Sequence, residues 1–504
     1  MRAAGILMPV SSLPSPYGIG SLGKQAYDFV DFLAAAQQRY WQILPIGPTG
    51  YGDSPYQSFS AFAANPYFID LDALVQDGLL TRAELTAADF GGETKTGAAG
   101  AIDYYKLYKN RKPLLEKAVA RFARASEPFD AFAASSADWL PDYALFMALK
   151  EENGMRALSF WPAPLRRRES AAMAAAQRRL KTQITFWEVV QYLFYRQWQQ
   201  LKSYANAHGV QLIGDIPIYV SPDSSDLWAD PSLFQVSADG ALTEVAGCPP
   251  DAFSEDGQLW GNPLYDWPHH LATGCAWWVH RMQHASSVYD VVRIDHFRGF
   301  ESYYAIPAGD ATAVNGTWRK GPGEPLIDTL KAKLPGVRII AEDLGYMTDG
   351  VRQLLAHSGF PGMKVLQFAF DSREESDYLP HNYHHNSVVY TGTHDNTTME
   401  DWQYSAPAAD VAFCKKYLDI TKDRPFTRSC VRAALGSVAD TCIIPLADWL
   451  ALDKRARINT PATLGGNWQW RVDAKLLTGA LALEIADLTR MYGRAPEAPK
   501  KRKR

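Results

Sequence analysis

Cysteine is scarce: the chain of 504 residues has five, at Cys248, Cys275, Cys414, Cys430 and Cys442, odd in number and without Cys-x-x-Cys spacing. That pattern argues against a disulfide framework or a zinc site and suits a reducing compartment. Long apolar runs are missing too. No stretch approaches the roughly 18 uninterrupted apolar residues of a membrane span. The opening MRAAGILMPVSSLPSPYG has a short apolar run broken by Pro9 and no small-residue cleavage pattern after it, so no export signal is expected. Nor does one sign of charge dominate, because 51 basic residues oppose 55 acidic ones for a net charge of −4. Such a balance offers no field to draw nucleic acid or an acidic membrane surface. The expectation is a soluble, cytoplasmic protein with neither kind of partner. Its last residues, Lys500 to Arg504, follow the Pro-rich APEAP, and 496–504 reads as a disordered basic tail.

Aromatic residues, by contrast, reach 12%, with 15 Trp and 25 Tyr. That is more than core packing needs and suits flat platforms for ligands with apolar faces, sugars among them. Eight short apolar runs bounded by Gly, Pro or Asp alternate with helical stretches: Gly5–Pro9, Trp41–Ile46, Gln211–Val220, Val291–His296, Val337–Asp343, Met363–Phe370, Ser387–His394 and Thr441–Leu446. This is the pattern of parallel strands in βα units. Eight units predict an α/β fold closed as a (β/α)8 TIM barrel, and no G-x-G-x-x-G follows the first run to suggest a dinucleotide fold.

The interval from Ile46 to Gln211 is too long for one helix and two loops, so it must hold an insertion. Its content is helical, over Lys112–Ala134 and Ala171–Leu201, where apolar residues recur at three- and four-residue intervals. A second stretch, Ser221 to about Trp267, is rich in Pro, Gly, Asp and Trp and reads as an ordered loop region over the barrel mouth. The expected organisation is a catalytic barrel over 1–495, interrupted by a mainly helical insertion at 60–205 and a loop-rich one at 221–285.

Three acidic residues close predicted strands: Asp295 in VVRIDHFRGF, Glu342 in RIIAEDLG and Asp395 in VVYTGTHDN. Barrel enzymes carry their chemistry at the C-terminal strand ends, so the three should converge on one rim. Paired carboxylates across a sugar are what glycoside chemistry needs, one to attack the anomeric carbon and one to move the proton. Arg293, two residues before Asp295, should share its inward face and keep a nucleophile ionised, whereas Glu342 must carry a proton and needs a drier setting. His394 can donate to a sugar hydroxyl. No His/Asp/Glu cluster has metal-ligand spacing, and neither metal nor cofactor is expected.

The segments VRIDHFRG, IIAEDLG, TGTHDN and GDIPIYV resemble the signature regions of the α-amylase superfamily as they occur in amylomaltases and disproportionating enzymes. Longer stretches resemble that family specifically: LMPVSSLPSPYGIGSLG, LPIGPTGYGDSPYQSFSAFAANPYFIDL, CPPDAFSEDGQLWGNPLYDW and GGNWQWR. The resemblance runs from about residue 8 to residue 471. It implies a barrel with insertions and no β-sandwich after it, and a 4-α-glucanotransferase acting on malto-oligosaccharides and α-1,4-glucans such as starch, glycogen and amylose. The reaction it implies is a double displacement through a glucosyl-enzyme ester.

Carried over by position, Asp295 is the expected nucleophile, Glu342 the acid/base, and Asp395 the third carboxylate, which binds and distorts the sugar. Arg293, His394 and Asp215 are the expected companions of that site. Tyr56 would stack on the sugar under attack beside Ser54, while Asp251, Gln258 and Trp260 would lie on a loop over the glucan. Tyr51 could add an accessory contact. Thr397 stands where the family usually has Asp, and Ala64 where Gly is usual. NTPATLGGNW replaces a Pro-Gly-Thr pattern ahead of Asn467, another expected substrate contact. Two other readings remain: an α-glucan hydrolase on the same scaffold, which only the fate of the intermediate separates, and a silent glucan-binding protein, which would not need an acid facing a nucleophile.

Overall fold

The computed structural model describes residues 2–50, 52–91, 100–123, 126–250, 255–345, 347–373 and 375–496. Within them lie twelve strands: β1 (Ala3–Leu7), β2 (Tyr40–Gln42), β3 (Gln211–Ile216), β4 (Glu244–Cys248), β5 (Gln258–Pro263), β6 (Val291–Ile294), β7 (Ser302–Pro307), β8 (Thr317–Lys320), β9 (Ile339–Ala341), β10 (Gly362–Val365), β11 (Ser387–Tyr390) and β12 (Thr441–Pro445). Eight of them, in the order β1-β2-β3-β6-β9-β10-β11-β12, form a closed barrel. Every pairing in it is parallel, and the seam sets Ala3 beside Thr441 and Leu7 beside Pro445. The α/β barrel expected from the eight apolar runs is the fold of this chain, and among the described residues no strand follows β12.

Alternation along each strand sorts residues between two cores. Leu7, Ile213, Val291, Ile340, Met363, Val365, Val388, Tyr390 and Ile443 pack together inside the barrel. Their neighbours Ile6, Leu212, Val292, Ile294, Val389 and Ile444 join the larger core beneath the helices. Burying each such aliphatic side chain is worth about 1.5–3 kcal/mol. The interior is narrow: a Cβ on Gly5 would meet the Tyr40 side chain at 2.5 Å.

Strand ends fall earlier than the apolar runs suggest. β2 stops at Gln42, β3 at Ile216 and β11 at Tyr390, because the chain leaves the ladder to build the rim loops, where Pro45 and Pro217 have no N–H to give. The long interval between β2 and β3 holds helices Tyr104–Arg121, Glu127–Ser135, Leu140–Glu152, Ser170–Arg179 and Lys181–Ala207. The first is capped by the Asp103 side chain on the Lys106 N–H at 3.0 Å, so helix begins well before Lys112. The last packs on helix Lys24–Ala35 and leads directly into β3, so it is also the barrel's own crossover helix.

Over the mouth, the region expected as ordered loop contains β4 and β5, which join β7 and β8 in an antiparallel sheet of order β5-β4-β7-β8. Its partner strands come from beyond β6, a pairing that local composition does not reveal. Gly247 permits the close approach of β5, since a Cβ there would meet the Gln258 carbonyl at 2.2 Å. Residues 497–504, most of the expected tail, lie outside the described residues. Among those described, no helix is long and apolar enough to cross a membrane.

Candidate active site

Strand register builds the floor of the site. Asp215 on β3 and Arg293 on β6 are direct cross-strand partners, both pointing into the barrel above Ile213 and Val291. Arg293 Nη1 donates to Asp215 Oδ2 at 2.5 Å and Nη2 lies 3.0 Å from Asp295 Oδ1, while Nε meets Met363 Sδ at 3.3 Å. Burial works against this guanidinium, but Asp215 and Asp295 outweigh it and hold it protonated. The Asp295 side chain, one residue past β6, keeps 30% of its surface toward the cleft. Burial pushes its carboxyl up to about 6, with Arg293 pulling it down and Asp215 adding to the rise.

Glu342, one residue past β9, is 8% exposed. Its backbone N–H donates to Ile294 O at 3.0 Å and its carbonyl accepts from Phe297 N–H at 2.9 Å, which locks it to the turn carrying Asp295. Both carboxyl oxygens accept backbone N–H groups at 2.7 Å, Oε2 from His296 and Oε1 from Leu344. Burial, then the Asp295 charge, still lifts Glu342 to about 8 against those two bonds and Arg293. His296 reaches Glu342 by adopting φ 55, ψ 47. Burial, then Arg298, depresses its imidazole to about 3, so the ring is neutral, and it meets the Trp260 ring in a T-shaped contact, 4.8 Å between centroids.

Asp395 sits on the loop after β11 rather than on the strand. Its Oδ1 accepts from Asn459 Nδ2 at 2.7 Å and lies 3.3 Å from His394 Nε2. Tyr56 stacks on the His394 ring, 5.1 Å between centroids and 17° between planes, and donates its hydroxyl to Asp215 Oδ2 at 2.8 Å. Trp468 leans on both Tyr56 and His394 at 6.0 Å.

The remaining expected contacts divide in two. Ser54 Oγ accepts the Tyr56 N–H at 3.3 Å and Gln258 Oε1 accepts Trp260 Nε1–H at 3.0 Å, so each braces an aromatic ring. Asn467 is engaged within its own loop: Oδ1 accepts the Thr460 N–H at 2.9 Å, and Nδ2 donates to Thr463 O and Oγ1 at 3.1 Å each. Its neighbour Trp468 is the residue that reaches the His394 side. Asp251 and Tyr51 lie outside the described residues. Ala64 is fully buried and held by Gln191, which gives Nε2 to its carbonyl and takes its N–H. Sequence reasoning missed His296, Asn459 and Trp468, although VRIDHFRG and GGNWQWR contain two of them.

A carboxyl that keeps its proton near neutrality, beside one that an arginine helps to ionise, can protonate a leaving oxygen while the other attacks carbon. A profile of 4-α-glucanotransferases matches residues 8–477. A 4-α-glucanotransferase of Streptococcus pneumoniae is 48% identical over 500 residues, 98% of each chain. The chain belongs to the 4-α-glucanotransferase family. It is a glucosyl-transferring enzyme of the amylomaltase kind. The Thermus thermophilus 4-α-glucanotransferase is 45% identical over 98% of this chain and 99% of its own. An amylomaltase from Streptococcus agalactiae, solved in complex with acarbose, superposes with a TM-score of 0.95 at 42% identity, covering 98% of this chain and all of that one. Within this 4-α-glucanotransferase, Thr397 keeps a carboxylate partner by donating Oγ1 to Asp401 Oδ2 at 2.8 Å.

Proposed function

We propose that this enzyme moves α-1,4-glucan segments between malto-oligosaccharides and longer glucans such as starch, glycogen and amylose, in the cytoplasm, by retaining double displacement. Asp295 attacks the anomeric carbon as Glu342 gives its proton to the departing 4-oxygen, leaving a glucosyl ester on Asp295. The acceptor's 4-hydroxyl then gives its proton to Glu342 and displaces Asp295, so the α-configuration is restored. Asp395 binds sugar hydroxyls and favours the distorted ring. Ser54, Tyr56, Asp215, Asp251, Gln258, Trp260, Arg293, His394 and Asn467 form the surrounding glucan site, within a catalytic unit over 1–495 interrupted at 60–205 and 221–285.

One observation carries this reading: Arg293 Nη2 lies 3.0 Å from Asp295 Oδ1, while Glu342 is 8% exposed, and burial, against the backbone N–H groups it accepts, pushes Glu342 up to about 8 compared with about 6 for Asp295. Between those values the acid and the nucleophile coexist in the forms that the first step requires.

With maltotriose the enzyme should yield glucose and a ladder of longer oligomers while reducing ends stay nearly constant. Reducing ends rising in step with substrate loss would mark a hydrolase. Glu342→Gln given a maltosyl fluoride donor, which needs little protonation to depart, should accumulate one maltosyl unit per chain on the peptide containing Asp295. An unmodified Asp295 peptide after donor turnover would exclude the ester.

A further inference from the structure

The loop after β12 grips Asp395 from one side. Asn459 Nδ2 donates to Asp395 Oδ1 at 2.7 Å, and Arg457 Nη2 donates to the Asp395 backbone carbonyl at 2.8 Å. Asn459 is itself fixed through both of its backbone groups: its N–H donates to His394 O at 3.0 Å, and its carbonyl accepts from Arg457 Nε at 2.7 Å. One residue on, the Thr460 N–H is held by Asn467. Asp395 Oδ2, in contrast, has no hydrogen-bond partner among the described residues, and the side chain keeps 44% of its surface open.

An amide donor on one oxygen of a carboxylate does two things. It fixes the rotation of the carboxyl plane, and it leaves the second oxygen as the acceptor for an incoming hydroxyl. We propose that Asn459 is a positioning residue of the reaction, orienting Asp395 so that Oδ2 faces the hydroxyls of the sugar under attack. This rests on the role of Asp395 given above. The charged and titratable neighbours of the pair are His394, at 3.3 Å, Arg457 on its backbone, and Asp295 and Tyr56, which feel the Asp395 charge.

Three variants of the full chain test the idea, with kcat and KM for maltotriose, the pH dependence of kcat and the melting temperature as readouts. Asn459→Ala should lower kcat about 10- to 100-fold, the range for a lost hydrogen bond to a charged group, with KM changed less than about threefold. Asn459→Asp is nearly isosteric but sets two carboxylates against each other. A proton shared between them restores the bond, so its deficit relative to wild type should shrink as the pH falls, while that of Asn459→Ala stays constant. If both variants keep wild-type kcat, or if both lose the same factor at every pH with a lowered melting temperature, Asn459 only packs the loop and the inference fails. Asp395→Asn separates the two levels: wild-type kcat in that variant overturns the role of Asp395 itself, while its inactivity beside unaffected Asn459 variants overturns only the positioning role.

Discussion

His296 supports Glu342 with its backbone and Trp260 with its ring: the N–H reaches Oε2 at 2.7 Å and the imidazole meets the indole in a T-shaped contact, 4.8 Å between centroids. One residue in a left-handed conformation thus ties Glu342, the proposed proton donor, to Trp260 on β5. Such a conformation costs a non-glycine residue about 1–2 kcal/mol, and the surrounding contacts maintain it.

Trp260→Ala should lower the total rate and raise the hydrolysed fraction. In the proposed mechanism the indole, braced by Gln258, holds a sugar ring and limits water at the ester. Reducing ends formed per maltotriose consumed give the fraction directly. An unchanged fraction would show that the lid tryptophan does not control partition.

The pH dependence of kcat/KM should be bell-shaped. Activity falls below about 6 as Asp295 takes up its proton and above about 8 as Glu342 loses its own, the two limbs belonging to the coupled pair. With a fluoride donor, release of the first product by Glu342→Gln should keep the acid limb and lose the alkaline one. Survival of the alkaline limb would assign it to another group.

Glu342→Gln should gain stability relative to the wild type as the pH rises. The folded carboxyl titrates near 8 against an ordinary 4.5, so the native state binds the extra proton between those values and wild-type stability declines as pH rises through that window. A neutral amide removes the decline. The variant's gain in melting temperature should grow from pH 5 to pH 8, and a gain independent of pH would contradict the shift.

Tyr56→Phe should reduce kcat/KM about 10- to 100-fold, as expected for a lost hydrogen bond to a charged acceptor. The hydroxyl donates to Asp215 Oδ2, and Asp215 Oδ1 has no partner among the described residues to compensate. Stacking on His394 survives in the phenylalanine, so Tyr56→Ala should lose more. Equal losses in the two variants would assign the effect to the hydroxyl alone.

The barrel was legible because each strand is an apolar run with punctuation at both ends, and Arg293 and Asp295 share a face by simple alternation. What escaped was contact between distant segments. β4 and β5 were hidden in a Pro- and Gly-rich stretch, and β4 pairs on its other side with β7, which lies past β6. Asn467 is an expected glucan contact by its motif, and its amide also closes a turn on Thr460 and Thr463, a bond that no local pattern reports. Asn459 meets Asp395 across β12, a relation set by tertiary packing.

The seam between β1 and β12 joins opposite ends of the sequence, and Arg494 spans it by donating to both the Ala3 and Asp440 carbonyls. Contacts so remote in sequence form slowly, because the whole intervening chain must first be confined. During synthesis the first strand must therefore wait for the last. The rim that gathers Asp215, Asp295, Glu342 and Asp395 is completed only when that final strand docks, so nascent chains lacking it carry these four carboxylates without the enclosure that tunes them.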